Sequence, residues 1–146
     1  MTPQMRAETC ARLMLEKDTA SRALGMTIDD IAPGTARLRM PVTDQMANGH
    51  GVCHGGYIFT LADSAFAFAC NSYNRVTVAQ QNQITYLAPG NVGDMLTASA
   101  REVSRTGRSG IYDVEVHNQN DDVIAVFRGL SRTIKGQHFP EDGGSE

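Results

Sequence analysis

The stretch HGGYIFTLADSAFAFACN, residues 54–71, is the one run in this chain with both the length and the apolar content of a buried helix. Ile58, Leu61, Ala62, Ala65, Phe66 and Ala69 recur in it at intervals of three and four, the single stripe of a helix that begins near His54 and ends near Asn71. The chain beyond residue 72 is of another kind. VTVAQQNQITYLAP, DMLTASAREVS, SGIYDVEVHN and DVIAVFRGLSRTI read as four extended runs, separated by PGNVG, RTGR and NQND, breaks rich in turn-forming residues. Upstream, MTIDDIAPGTARLRMPV carries a Pro33-Gly34 turn signal, and Ala36, Leu38 and Met40 alternate with Arg37 and Arg39, which predicts a hairpin with one face buried. Met5, Cys10, Leu13 and Met14 recur loosely at helical spacing and predict one N-terminal helix or two short ones.

Consecutive strands joined by short turns form an antiparallel sheet, and such a sheet needs one face covered. Only the 54–71 helix is long and apolar enough to cover it. The expected fold class is therefore α+β, a long central helix wrapped by an antiparallel sheet of about five to six strands, preceded by an N-terminal helix. One helix cannot cover so many strands, so a remaining face or edge is expected to meet another subunit. The length, 146 residues, is that of one domain. Residues 1–135 form it by this reading, and 136–146, GQHFPEDGGSE, with neither periodicity nor apolar content, are expected to be a flexible tail.

The formal net charge of −3 argues against a nucleic-acid partner, which calls for a basic face. No segment approaches the length of a membrane span, and the amphipathic, charged opening MTPQMRAETCARLMLEKD is unlike a signal peptide, so a soluble cytoplasmic protein is expected. The three cysteines, Cys10, Cys53 and Cys70, match neither a zinc site nor a disulfide framework and read as small packing residues in a reducing compartment. The rival reading makes Cys53 a nucleophile assisted by His50 or His54.

One carboxylate interrupts the helix. At about 100° per residue, Asp63 lies roughly 130° from the centre of the apolar stripe, so it leaves the core face. Its neighbours there are Phe59, Thr60, Ala67 and Cys70 rather than balancing charges, which points to an interface or pocket where burial raises a carboxylate's pKa and makes it useful as a base. A cap or a hydrogen bond to a neighbouring loop is the plainer alternative. Gly55 and Gly56 stand where the helix starts, where N–H groups lack helical partners and the dipole is positive, an arrangement suited to an oxyanion. Alone, a Gly-Gly pair also reads as a tight turn. Asn48 precedes them in a loop and can both donate to and accept from water, and His54 either contacts a ligand or caps the helix. Eight residues separate Gly55 from Asp63, about 12 Å along the axis, too far for one helix to use both at a single carbonyl. A second, antiparallel copy across a two-fold axis would bring them together, so the spacing predicts a homodimer that shares its active sites.

The order N-G-H-G-V-C-H-G-G, then L-A-D-S-A-F-A-F-A-C-N, I-T-Y-L-A-P-G and F-R-G, over about residues 20–135, resembles the hotdog-fold acyl-CoA thioesterases, and among them the phenylacetic acid degradation (PaaI-type) group. The resemblance implies hydrolysis of acyl-CoA, typically phenylacetyl-CoA or its ring-hydroxylated form, by a homotetramer built as a dimer of dimers, with no metal or other cofactor. It implies Asp63 as general base or nucleophile, Asn48 positioning water or the thioester, and the backbone around Gly55 and Gly56 polarising the carbonyl. CoA carries phosphates, and SRTGRSG offers Arg105, Gly107, Arg108 and Ser109, with guanidinium forks suited to phosphate and a glycine that lets backbone approach. An ordinary charged hairpin turn is the alternative there. A hydratase of the same fold would need a histidine after the carboxylate, and none occurs between Asp63 and His117. A non-catalytic acyl-CoA binding module would not need Asp63.

Overall fold

The computed structural model describes residues 1–141. Two helices open the chain, α1 (Pro3–Lys17) and α2 (Thr19–Ala23), followed by the hairpin β1 (Thr27–Ala32) and β2 (Thr35–Pro41). A short 3-10 turn, Asp44–Met46, leads into the central helix α3 (Gly55–Cys70), and β3 (Thr77–Tyr86), β4 (Met95–Thr106), β5 (Ser109–His117) and β6 (Val123–Thr133) complete the fold. All six strands form one antiparallel sheet in the order β1-β2-β4-β5-β6-β3. Both the N-terminal helical region and the hairpin fall where the sequence puts them.

Local chemistry sets the helix boundaries. Thr2 caps α1 by accepting from the Met5 N–H at 3.1 Å, and Asp18 ends α1 and starts α2 by accepting from the Ser21 N–H at 2.9 Å. At the far end of α3, Asn71 donates to the Ala67 and Thr77 carbonyls and accepts from the Thr77 N–H, so a single buried amide ends the helix and begins β3.

The stripe of α3 packs as its spacing requires. Ile58, Leu61, Ala62, Ala65, Phe66 and Ala69 are buried against Leu38 and Met40 of β2, Leu96 and Ala98 of β4, Val114 and Val116 of β5 and Phe127 of β6. Each large apolar side chain buried here contributes about 1.5–3 kcal/mol. On β6 the sheet has no side chain at Gly129, and Phe66 fills that space: a Cβ there would stand 2.8 Å from the ring. The opposite face of the sheet is mixed, with Val103 and Val126 exposed and Asp113 of β5 accepting from Arg128 of β6 at 2.6 and 2.8 Å.

Two features go beyond the sequence reading. The break PGNVG joins β3 to β4 in sequence, yet these strands are not neighbours: β4 pairs with β2, and β3 crosses to the far edge beside β6. The connector is used elsewhere, because the Cys53 N–H donates to Gly90 O at 2.8 Å and Val52 bridges Asn91, tying it to the loop before α3. The other is a set of contacts made by residues 138–141 at the start of the segment expected to be a flexible tail. Asn74, in a left-handed conformation (φ 59°), accepts from the His138 and Phe139 N–H groups and donates to Phe139 O, while Arg6 of α1 grips Glu141 through both carboxylate oxygens. Residues 142–146 lie outside the described residues.

Candidate active site

Asp63 projects from the middle of α3 onto the half-buried face that also carries Thr60 and Ala67. Its Oδ1 accepts from Asn82 Nδ2 of β3 at 2.9 Å, and its Oδ2 receives no hydrogen bond from any described residue. Burial raises the Asp63 pKa above the ordinary carboxylate value, the Asn82 hydrogen bond opposes that rise, and the charge of Asp18 adds to it. Cys70, two turns along the same face, stays a neutral thiol because burial pushes its pKa up to about 12. A carboxylate this poorly solvated, with no cation beside it among the described residues, is a competent proton acceptor.

The other end of α3 supplies donors. His54 is the N-cap, and its Nδ1 accepts from the Gly56 N–H at 2.9 Å, so Gly56 is already satisfied. The Gly55 N–H has no acceptor among the described residues and lies at the positive end of the helix dipole. Gly55 is small for a reason that the sequence does not show: Tyr86, at the end of β3, donates its hydroxyl to Gly55 O at 2.8 Å, and a Cβ on Gly55 would stand 2.9 Å from the Tyr86 ring. A cleft of about 390 Å³ opens beside this N–H, between Ile58, Tyr86, Leu87 and Pro89.

Asn48 organises the loop that leads into the helix. Its Oδ1 accepts from the His50 and Val52 N–H groups at 2.9 and 3.3 Å, and its backbone N–H donates to Val52 O. That leaves the Asn48 Nδ2 as the group able to donate outward. Met46 O accepts from the His54 N–H at 2.7 Å, which fixes the loop against the helix start. Cys53 is buried, its thiol directed at His54 O at 3.6 Å and its pKa raised by burial, with no imidazole against it as a nucleophile would require.

Gly107, at φ 62°, and Arg108 form the β4–β5 turn, with Arg105 near the end of β4 and Ser109 at the start of β5. The Arg105 guanidinium stacks on the Tyr73 ring at 3.5 Å and pairs with Glu102, while the exposed Arg108 forms no ion pair with the described residues. Tyr73 follows the C-terminal end of α3, so within one chain this turn and Gly55 stand at opposite ends of a 16-residue helix. Neither Asn82 nor Tyr86 stands out in the sequence, where both belong to a polar strand.

A model of the Thioesterase superfamily matches residues 50–125, which include α3 and both halves of this geometry. The chain belongs to the thioesterase superfamily. The acyl-coenzyme A thioesterase PaaI of Escherichia coli K12 is 46% identical over 126 residues, 86% of this chain and 90% of that protein. The structure of the E. coli PaaI protein, from the phenylacetic acid degradation operon, superposes with a TM-score of 0.92 at 43% identity and covers 93% of this chain and 99% of that one. A Streptococcus pneumoniae thioesterase solved with coenzyme A matches with a TM-score of 0.73 at 27% identity, covering 77% of this chain and 90% of that one. This thioesterase has the hotdog fold, with α3 as the helix and the six strands as its wrapping, and it is a thioester hydrolase.

Proposed function

We propose that this thioesterase hydrolyses aryl-acyl-CoA esters, phenylacetyl-CoA or its ring-hydroxylated form, with Asp63 as the group that drives the attack. The observation that carries this reading is the pairing of a half-buried carboxylate, one oxygen of which has no partner among the described residues, with an N–H at the start of the same helix that has no acceptor among them. In the general-base route, Asp63 Oδ2 takes a proton from water as the water oxygen bonds to the thioester carbon. The carbonyl oxygen becomes an oxyanion, which the Gly55 N–H and the Asn48 Nδ2 stabilise, while His54 caps the Gly56 N–H. The C–S bond then breaks, CoA leaves as a thiolate and the acid is released. In the nucleophilic route an Asp63 oxygen bonds to the carbonyl carbon, the C–S bond breaks with CoA leaving as a thiolate, and water hydrolyses the resulting mixed anhydride to the acid and the free Asp63 carboxylate.

The eight-residue separation of Gly55 and Asp63 supports a site shared between two chains, and the free edge of β3, with Val78, Tyr86 and Leu87 exposed, is a surface over which a second copy can extend the sheet. An antiparallel partner also brings the Arg105–Ser109 turn of one chain beside Gly55 of the other, where Arg108 and Ser109 can meet CoA phosphates. A pair of such dimers gives the proposed homotetramer. Three unpaired cysteines suit the cytoplasm.

Kinetics on phenylacetyl-, hydroxyphenylacetyl-, benzoyl- and straight-chain CoA esters test the substrate class. The aryl esters are expected to give the highest kcat/KM. A preference for straight chains overturns the aryl assignment, and release of CoA by a protein that is monomeric at assay concentration overturns the shared site.

A further inference from the structure

Strand β3 begins with Thr77 buried on the helix side of the sheet, and strict alternation from there would place residues 79, 81 and 83 inward and Asn82 outward. The strand does not keep that count. Its pairing with β6 slips between Ala79 and Gln81, a β-bulge, and beyond it Asn82 and Ile84 turn toward the helix while Gln81 and Gln83 face solvent. A bulge adds one residue and reverses the parity of everything after it. Here the residue it re-aims is the one that touches Asp63.

The orientation of the amide is informative as well. Asn82 Nδ2 donates to Asp63 Oδ1 at 2.9 Å, and Asn82 Oδ1 is buried without a hydrogen-bond partner among the described residues. Turning the amide over would set an acceptor against an ionised carboxylate, so the chain leaves one buried acceptor unpaired in order to donate. We propose that Asn82 is a positioning residue for hydrolysis: it holds Oδ1 of the ionised Asp63 and so turns Oδ2 toward the attacking water. This inference rests on Asp63 being the group that drives the attack.

The groups around Asp63 leave this task to Asn82. Asp18, at the junction of α1 and α2, opposes ionisation, and so does burial; Cys70 on the same helix is a neutral thiol. Gln81 and Gln83 of β3 carry no charge. Among the described residues the Asn82 hydrogen bond is the one influence favouring the charged form.

The test is the pH dependence of kcat/KM for a CoA ester, measured for the wild type, Asn82→Leu, Asn82→Asp and Asp63→Asn, with circular dichroism confirming that each is folded. Leucine keeps the volume without a donor, and aspartate keeps the shape while placing an acceptor against Asp63. In both Asn82 variants the acid limb is expected to move to higher pH, with a loss of roughly tenfold at about pH 6 that narrows toward about pH 9. A merely structural role lowers the rate equally at all pH and leaves the limb in place; limbs coincident with the wild type overturn the proposal. The Asp63→Asn protein separates the two levels. If it retains the wild-type rate, the role of Asp63 itself falls; if it is inactive and the Asn82 limbs do not move, only the positioning role falls.

Discussion

Gly55 is explained by Tyr86 rather than by helix geometry, and replacing it with alanine tests that explanation. In Gly55→Ala the new Cβ would stand 2.9 Å from the Tyr86 Cζ and 3.0 Å from its hydroxyl oxygen, so the ring has to move and its 2.8 Å bond to Gly55 O is strained or lost. Overpacking of this kind costs about 1–3 kcal/mol. Tyr86 is 48% exposed in the single chain but lies on the edge proposed to meet a second copy, so the ring gives way only in part and the cost stays within that range. Alanine in place of glycine returns up to about 0.5–1 kcal/mol through the lower entropy of the unfolded chain. The net expectation is a loss of about 1 kcal/mol. In a Tyr86→Ala background the clash is absent and only the gain remains, so the same substitution becomes neutral or stabilising. Urea unfolding of the four proteins at one fixed protomer concentration measures this coupling, expected at about 1–2 kcal/mol. Equal destabilisation by Gly55→Ala in both backgrounds would refute the packing explanation and return Gly55 to a role in ligand approach.

Gly129→Ala places a Cβ 2.8 Å from two atoms of the fully buried Phe66 ring, which has no outward path, and is expected to cost about 3 kcal/mol or more, read as a lower urea midpoint with an unchanged slope. Asp63 also carries a stability cost. Its folded pKa lies above the unfolded value near 4, so its contribution is complete below that pH and is lost as pH rises through the raised pKa. Asp63→Asn is therefore expected to be more stable than the wild type at about pH 8 and no more stable at about pH 4, in paired thermal melts; a variant less stable at both pH values contradicts the burial of the charge. Arg108→Ala is expected to raise KM for CoA esters roughly tenfold and to leave the thioester of N-acetylcysteamine, which lacks the phosphates, unchanged. Equal losses on both substrates would remove Arg108 from the CoA site.

Much of the fold was legible because its signals are local. The 3–4 spacing from Ile58 to Ala69 marked the buried stripe, the alternation of Ala36, Leu38 and Met40 marked the inner face of β2, and His54 and Asn71 marked the ends of α3. The angular position of Asp63 came from the helical period alone. Partners distant in sequence were not legible. The crossing of β3 to the far edge depends on hydrogen bonds from the connector to the loop before α3, and nothing in PGNVG distinguishes that use from a hairpin turn. Asn82 lies in the run QQNQ, where a bulge at Gln80 decides which amides face the helix, and a period-two count gives the wrong parity. Tyr86 is one aromatic residue at a strand end, and its contact with Gly55 spans 31 positions. The contacts of residues 138–141 were not legible for a related reason: Asn74 and Arg6 meet them through polar groups that neither periodicity nor apolar content reports.

The central claim is that the Asp63 carboxylate drives thioester hydrolysis, and the most direct measurement is the rate of thiol release from phenylacetyl-CoA by the wild type and by folded Asp63→Asn. Asparagine keeps the size of the side chain and can still meet Asn82, but it neither accepts the proton of water nor attacks the carbonyl. A loss of ~10²-fold or more is expected. Release by the variant at a rate within a few-fold of the wild type would contradict the claim.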